Sequence, residues 1–385
     1  MKRITVFFSI VLLTTCLMGQ EAQLEWAVGL GGNNSEEGNS VTVDDFGNVY
    51  STGYFMGEAD FDPDPEKNYS LISNGSWDIY ISKLDAQGNF IWAKSMGGTG
   101  YDNGHDLAID AAGNVYITGF YNGTVDFDPN PYKNYELSSQ GGYDVFISKF
   151  DASGNFVWAK SMGGKYTDYG YSLAVDSAGN VYTSGHFKET ADFDPGIGNY
   201  YINSNGNSDI FISKLDAMGN FVWATFTGGD NIDKAYSLTL DAQSNVYTTG
   251  QFKGSIDFDP GQGTAYLTSN GGKDIFVSKL DNNGKFVWAG NMGSITDDEG
   301  YSVAIDDSGN VFVTGKFSGT ADFDPGKESY FLTSNGSYDL FLLKLDAQGN
   351  FITANSIGGS SIDYACSLAF DKDKNVYQTG VFAGT

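Results

Sequence analysis

The chain has 385 residues, with 48 acidic against 21 basic side chains and a formal charge of −27. Its one arginine is Arg3, and so acidic a chain cannot neutralise the phosphates of a nucleic acid or settle on an anionic lipid surface. Cys16 and Cys366 are its only cysteines, which excludes a disulfide framework; stability must come from a packed core.

Lys2 and Arg3 precede the apolar run Ile4–Leu13 and then Thr-Thr-Cys-Leu-Met-Gly. This order predicts a secretory signal peptide over residues 1–20, cleaved near Gly19 or Gln20. The run is too short to span a bilayer, so no membrane insertion is expected after cleavage. Cys16 admits a lipoprotein signal, but Thr15 is a poor residue directly before a lipidated cysteine. Losing Lys2 and Arg3 takes the charge from −27 to −29 and leaves Cys366 alone. Residues 21–385 read as one repeat domain.

From residue 24 the text repeats. Trp26, Trp92, Trp158, Trp223 and Trp288 are spaced 66, 66, 65 and 65, with Thr353 in the sixth place. Asp-Phe-Asp-Pro recurs at Asp60, Asp126, Asp192, Asp257 and Asp322. A fixed period marks a repeat architecture. Residues 24–31 match the last strand of a unit; five full units follow. The first two strands of a sixth end at Thr385, inside the motif, which reads as a piece of a longer multidomain product.

The third unit shows the pattern. Tyr171–Asp176, Asn180–Phe187, Asp209–Asp216 and Asn220–Thr227 are rich in Val, Ile, Phe, Tyr and Thr and are bounded by Gly, Asn and Asp, as strands are. Asp176-Ser-Ala-Gly179-Asn180 and Asp216-Ala-Met-Gly219-Asn220 carry tight-hairpin chemistry. No long run has a 3.6 period, so no helix is expected beyond the N-terminus. The third and fourth runs are apolar on both faces, which places them between two other sheets, while the first carries smaller side chains. The expected fold is all-β: a β-propeller of four-stranded antiparallel blades, about 65 residues per blade, five complete and a partial sixth. A β-solenoid is the rival.

Gly-Asn-Val-Tyr-x-x-Gly (Gly179–Gly185), Asp-Ile-Phe-Ile-Ser-Lys-Leu-Asp (Asp209–Asp216) and Gly-Asn-Phe-Val-Trp-Ala (Gly219–Ala224) together resemble the SBBP repeat, a bacterial β-propeller repeat, over nearly all of residues 24–385. The resemblance implies a secreted propeller, often one part of a larger surface protein, and no defined reaction. The Asp-x-x-Gly-Asn-Phe-x-Trp hairpin is loosely similar to the Asp-box of sialidases, with a one-residue difference between Asp and Gly. Those enzymes grip a substrate carboxylate with arginines, which the mature chain lacks.

Both tight hairpins lie at one end of a unit, so the long second-to-third connection and the Gly-Gly connection lie at the other, where binding usually resides. That end carries carboxylates. Asp60/Asp62, Asp126/Asp128, Asp192/Asp194, Asp257/Asp259 and Asp322/Asp324 come from the long connections. Glu36, Asp102, Asp168, Asp233, Asp298 and Asp363 come from the short ones. An Asp-x-Asp offers calcium two oxygen ligands; alternatively, the phenylalanine plugs the core and the second Asp caps a turn. One slot before the third strand varies freely: Trp77, Tyr143, Ser208, Lys273, Tyr338. Trp77, Tyr143 and Tyr338 are the candidate ligand contacts, as aromatics that stack on sugars or grip a protein; the bland alternative is loop shielding. Cys366 shares a slot with Asn39, His105, Tyr171, Tyr236 and Tyr301 and is expected half-buried. His105 and His186 fall at non-equivalent places, as ordinary structural or surface histidines.

No nucleophile motif and no phosphate loop is present. The expectation is a secreted or cell-surface, non-enzymatic module binding an extracellular protein or glycan, with no required cofactor and calcium as an optional stabiliser. A propeller-based hydrolase or lyase acting on extracellular polysaccharide or protein is the enzymatic alternative, favoured by a clustered, non-repeated polar set at the end with the long connections; the sequence shows none, because almost every polar feature repeats. A structural spacer is the third.

Overall fold

A computed structural model describes residues 24–383; the predicted signal peptide and Thr385 lie outside the described residues. Among these, every regular element is a strand and none is a helix. The second repeat sets the pattern: Asn103–Ile109, Val115–Tyr121, Asp144–Phe150 and Phe156–Gly164 pair antiparallel in that order. Repeats one, three, four and five give the same first-second-third-fourth order. The chain divides into two compact units. The N-terminal unit runs to Asn203 and includes Ser213–Ala224; the C-terminal unit has Ser204–Ile212 and the residues from Thr225 on.

The hairpins form because one aspartate satisfies the whole turn. Asp110 Oδ1 accepts from the amides of Ala112 and Asn114, and Oδ2 from Asn114 Nδ2 and the Tyr116 hydroxyl. Burial works to raise the Asp110 pKa, and these bonds outweigh it and hold the carboxyl below its ordinary range. Gly113 closes the turn at φ 80°; Ser244 and Lys374 take the same left-handed conformation in repeats four and six, at a cost that glycine avoids.

The long connection differs from expectation. It is not loop throughout: Thr124–Asp126 pairs with Glu136–Ser138 in a small hairpin, and the other four full repeats do the same. Three-residue runs are too short for any periodicity to show. These hairpins also join repeats. Gly163 and Gly164, ending the second repeat, pair with Asp192 and Ala191 of the third; Gly31 and Gly32 pair with Asp60 and Ala59.

Each core lies between successive sheets. In the N-terminal unit, Ile79, Ile81, Trp92 and Met96 of repeat one pack with Leu107, Ile117, Tyr121 and Phe146 of repeat two. In the C-terminal unit, Ile275, Val277 and Met292 meet Val303, Val313, Phe341 and Leu343. The phenylalanine of each Asp-Phe-Asp-Pro, Phe127 among them, is wholly or almost wholly buried; Phe127 meets Tyr121 edge-on at 5.5 Å. Full burial of such a side chain contributes about 2–3 kcal/mol. Trp92 and Trp158 are 8% exposed, whereas Trp26, Trp223 and Trp288 are half-buried.

Candidate ligand-binding face

The first strand of every repeat carries a bulge at one fixed place. Gly104 pairs with Gly119 and Asp106 with Thr118, so His105 is skipped. Asn39, Tyr171, Tyr236, Tyr301 and Cys366 are skipped in the same way. A bulge re-aims its side chain. It also brings the first strand's carbonyl against the second: a Cβ on Gly119 would lie 1.9 Å from the Asn103 carbonyl oxygen, so only glycine fits.

Three further slots surround each bulge and vary between repeats. Before it stand Glu37, Asn103, Tyr169, Lys234, Glu299 and Tyr364. Across the strand from these stand Tyr54, Phe120, His186, Gln251, Lys316 and Val381. The third is the slot of Trp77, Tyr143 and Tyr338. Flanking scaffold positions scarcely change, so packing does not dictate what fills these slots.

In the N-terminal unit most of the slots hold aromatic groups, with Trp77, Tyr143, Tyr169 and Tyr171 half-buried. Trp77 stacks on Tyr54 at 4.2 Å and meets the exposed Tyr101 edge-on. Tyr143 lies 4.7 Å from Phe120 and 5.7 Å from Tyr169. His186 stacks at 5.0 Å on Tyr169 and 5.4 Å on Tyr171, and His105 at 5.2 Å on Tyr171. The fold therefore gathers both histidines into one stack, which their non-equivalent sequence positions concealed. His105 Nδ1–H donates to the Gly170 carbonyl at 2.8 Å. Burial pushes its pKa down to about 4 against the pull of that bond, so the ring is neutral at pH 7.

In the C-terminal unit the same slots set charged side chains among tyrosines. Glu299, 8% exposed, receives Lys273 Nζ at 3.3 Å on Oε1 and Lys316 Nζ at 3.5 Å on Oε2. The Tyr301 hydroxyl donates to Oε2 at 2.6 Å. Lys316 Nζ also lies 4.8 Å above the Tyr338 ring and 5.5 Å above Tyr301, in cation–π range. Lys234 stands close enough for burial first, and then the charge of Lys273, to lower its pKa. Burial, then the bond to Glu299, raises the Tyr301 phenol far above its ordinary value.

The Asp-x-Asp carboxylates act within their own loops. Asp126 Oδ1 accepts from the Asp128 and Tyr135 amides, and Asp192 Oδ1 from Asp194 and Tyr200. Asp60, Asp257 and Asp322 bond likewise. Asp62, Asp128, Asp194, Asp259 and Asp324 each accept from the amide two residues on. Calcium would have to be held through the second oxygens; no three carboxylate, histidine or cysteine groups converge among the described residues. Cys366, expected half-buried, is exposed.

A second carboxylate set was not singled out from sequence. Asp78, Asp144, Asp209, Asp274 and Asp339 open the third strands and are fully buried. Their Oδ2 atoms accept from the amides of Asn74, Gln140, Asn205, Asn270 and Asn335, and their Oδ1 atoms have no hydrogen-bond partner among the described residues. Burial first, then the charge of Asp102, pushes Asp78 up to about 7 despite the Asn74 amide. Asp144 and Asp274 reach about 7 likewise, beside Asp168 and Asp298. Invariant placement at a strand start, on a residue type rarely buried, was the available signal.

Residues 91–119, 157–186 and 293–319 match the family model described as the SBBP β-propeller repeat. The chain is 23% identical over 442 residues to an uncharacterised WD repeat-containing protein of Acanthamoeba polyphaga mimivirus, covering 94% of this chain and 31% of that protein. It is 27% identical over 283 residues to regulatory protein FlaEY of Caulobacter vibrioides, covering 68% and 28%. It thus spans less than a third of the length of either curated relative. Among solved structures, the WD40 domain of Neurospora crassa Pan2 aligns at a TM-score of 0.37 with 8% identity, over 90% of this chain and 89% of that one. A Bacteroides caccae protein of unknown function aligns at 0.34 with 9% identity, over 74% and 93%. With the matched segments set on antiparallel sheets that recur at the period of the sequence, the chain carries SBBP β-propeller repeats.

Proposed function

We propose that this chain is a secreted or cell-surface propeller, of five four-stranded blades and a partial sixth, that binds an extracellular protein or glycan without transforming it. The observation that carries the reading is the contrast between a near-constant scaffold and the four variable slots around each bulge. In the N-terminal unit the slots present Trp77, Tyr143 and their stacked neighbours, the kind of surface that grips sugar faces or a partner's side chains. Secretion rests on the leader-like first twenty residues. This reading requires no cofactor and no calcium. Screening immobilised glycans and extracellular proteins against the wild type, Trp77→Ala and Tyr143→Ala tests the proposal. A ligand whose binding weakens in these variants, at unchanged melting temperature, is expected; ligands bound equally by all three would remove the face from consideration.

The Lys273–Glu299–Lys316 cluster is a non-repeated polar set and favours the hydrolase or lyase alternative. Its chemistry weighs toward binding. Both carboxylate oxygens of Glu299 are already engaged, by two ammonium groups and a phenol. The raised Tyr301 phenol is a poor base at neutral pH.

A further inference from the structure

We propose that the outer face of repeat one is a docking surface for the sixth repeat of a second copy of this chain, so that copies join head to tail. Within each unit, the first strand of a repeat packs on the first and second strands of the repeat before it. Such packing buries one apolar position on that strand: Leu107 and Val303 are 5% exposed and Leu173 4%. Val41 holds this position on Glu36–Val43, the first strand of repeat one, and is 66% exposed. Val43, two residues further along the same face, is 57% exposed. The fourth-strand seat beside them is taken, since Trp26 donates to the Ala86 carbonyl as Trp158 does to Ala217. Among the described residues, the seats of a preceding first and second strand are the open ones.

Repeat six offers those two strands. Tyr364–Phe370 and Val376–Val381 pair with each other, and on the face away from repeat five both Tyr377 and Thr379 are exposed. The matching threonines of repeats one, two and four, Thr52, Thr118 and Thr249, are fully buried, because the next repeat's first strand comes in over them. A Cβ on Gly104, Gly170 or Gly300 would lie 2.4 Å from their Oγ1 atoms, so these three junctions need glycine. Gly38, the equivalent residue of repeat one, meets no such threonine and leaves room for Thr379 of a second copy. Polar groups match as well. The Val303 and Leu368 amides donate to Ser237 and Ser302 of the preceding repeat at 3.1 Å. The Val41 amide and the exposed Ser367 are the corresponding donor and acceptor. The two faces are unlike and complementary, and a contact of that kind propagates from copy to copy. Closure of the chain's own sixth repeat on its first is the competing occupant.

Sedimentation velocity of the full chain over a range of concentrations tests this. The wild type should give a mass that grows with concentration beyond that of one chain. Val41→Asp spoils the face of repeat one and Thr379→Asp that of repeat six. Both positions are exposed, so each variant should keep the wild-type melting temperature and sediment as a single chain. An equal mixture of the two variants should form a species of two chains and nothing larger, because only one intact pair of faces remains. A face that paired with its own copy would let one of the variants associate alone. Overturning outcomes are a single-chain mass for the wild type at every concentration, which is the result of closure within the chain, self-association of either variant, or a mixture that stays at one chain.

Discussion

The indole of Trp158 donates its Nε1–H to the carbonyl of Ala217, 59 residues further on, at 3.4 Å. Trp26 does the same to Ala86 at 3.0 Å and Trp288 to Ala347 at 3.2 Å. In each case the acceptor belongs to the hairpin turn of the next repeat, whose glycine lies under the ring. A Cβ on Gly154 would come within 3.0 Å of the Trp92 indole, and one on Gly349 within 2.9 Å of Trp288. The fourth strand's tryptophan therefore locks one repeat to the following turn.

Trp158→Ala should cost about 3–5 kcal/mol, as for large core aromatics, and Trp158→Phe less, since it keeps the ring but loses the Ala217 bond. Gly154→Ala, under the Trp92 ring of the preceding repeat, should destabilise as well, because the turn holds Gly154 at φ 76° and the Trp92 indole blocks a methyl group. Urea melts of the three variants check this. Equal stability of Trp158→Ala and wild type would remove the lock.

Gly250→Ala should be more severe than a turn substitution. Its Cβ would lie 1.8 Å from the Lys234 carbonyl oxygen, so the bulge or the pairing must give way. Loss of soluble folded protein on expression, or a melting point many degrees lower, is expected.

Stability should respond to pH with a definite sign. Asp78, Asp144, Asp233 and Asp274 are pushed up to about 7, and Asp102, Asp168, Asp209 and Asp298 to about 6, chiefly by burial. Raised folded values mean that the folded chain binds more protons than the unfolded one. Their contribution is full below the ordinary aspartate value of 3.8 and is lost as pH rises through 6 to 7. The turn aspartates, such as Asp110 and Asp306, are held below 3.8 and lose their contribution on acidification. Melting temperature should therefore rise from pH 8 to pH 5 and fall below pH 4. A monotonic rise from pH 4 to pH 8 would contradict this assignment.

Calcium is tested by melting in chelator and in millimolar calcium at fixed ionic strength. Because the first oxygens of all five Asp-x-Asp pairs already serve backbone amides, the expected result is no change. Asp192→Asn with Asp194→Asn should then act through the turn alone. A gain of several degrees in calcium, lost in part in that double variant, would make the loops metal sites, since ligand bound only to the folded state adds RT ln(1 + [L]/Kd).

The sequence shows the repeating strands and hairpin turns because Asp, Gly and Asn leave a local chemical signature every 65 or so residues. The variable slot of Trp77, Tyr143 and Tyr338 was legible as variation against a constant background. The small hairpin at Thr124–Asp126 was not, since three residues carry no period. Nor was the meeting of His105 with His186, or of Lys273 with Lys316. Those depend on cross-strand register and on contact between neighbouring repeats, which a linear scan does not encode. Asp78 looked like any strand boundary until its burial was known.

The tryptophan-to-turn lock and the glycine-to-hairpin pairing both link a residue to its counterpart's surroundings one repeat later. Excising any window of one full period, whatever its starting residue, joins a strand to a neighbour carrying nearly the same text and renews both links at the seam. The gene can lengthen or shorten by whole repeats without a privileged cutting point, and each added copy brings a fresh set of slots whose contents are free to diverge.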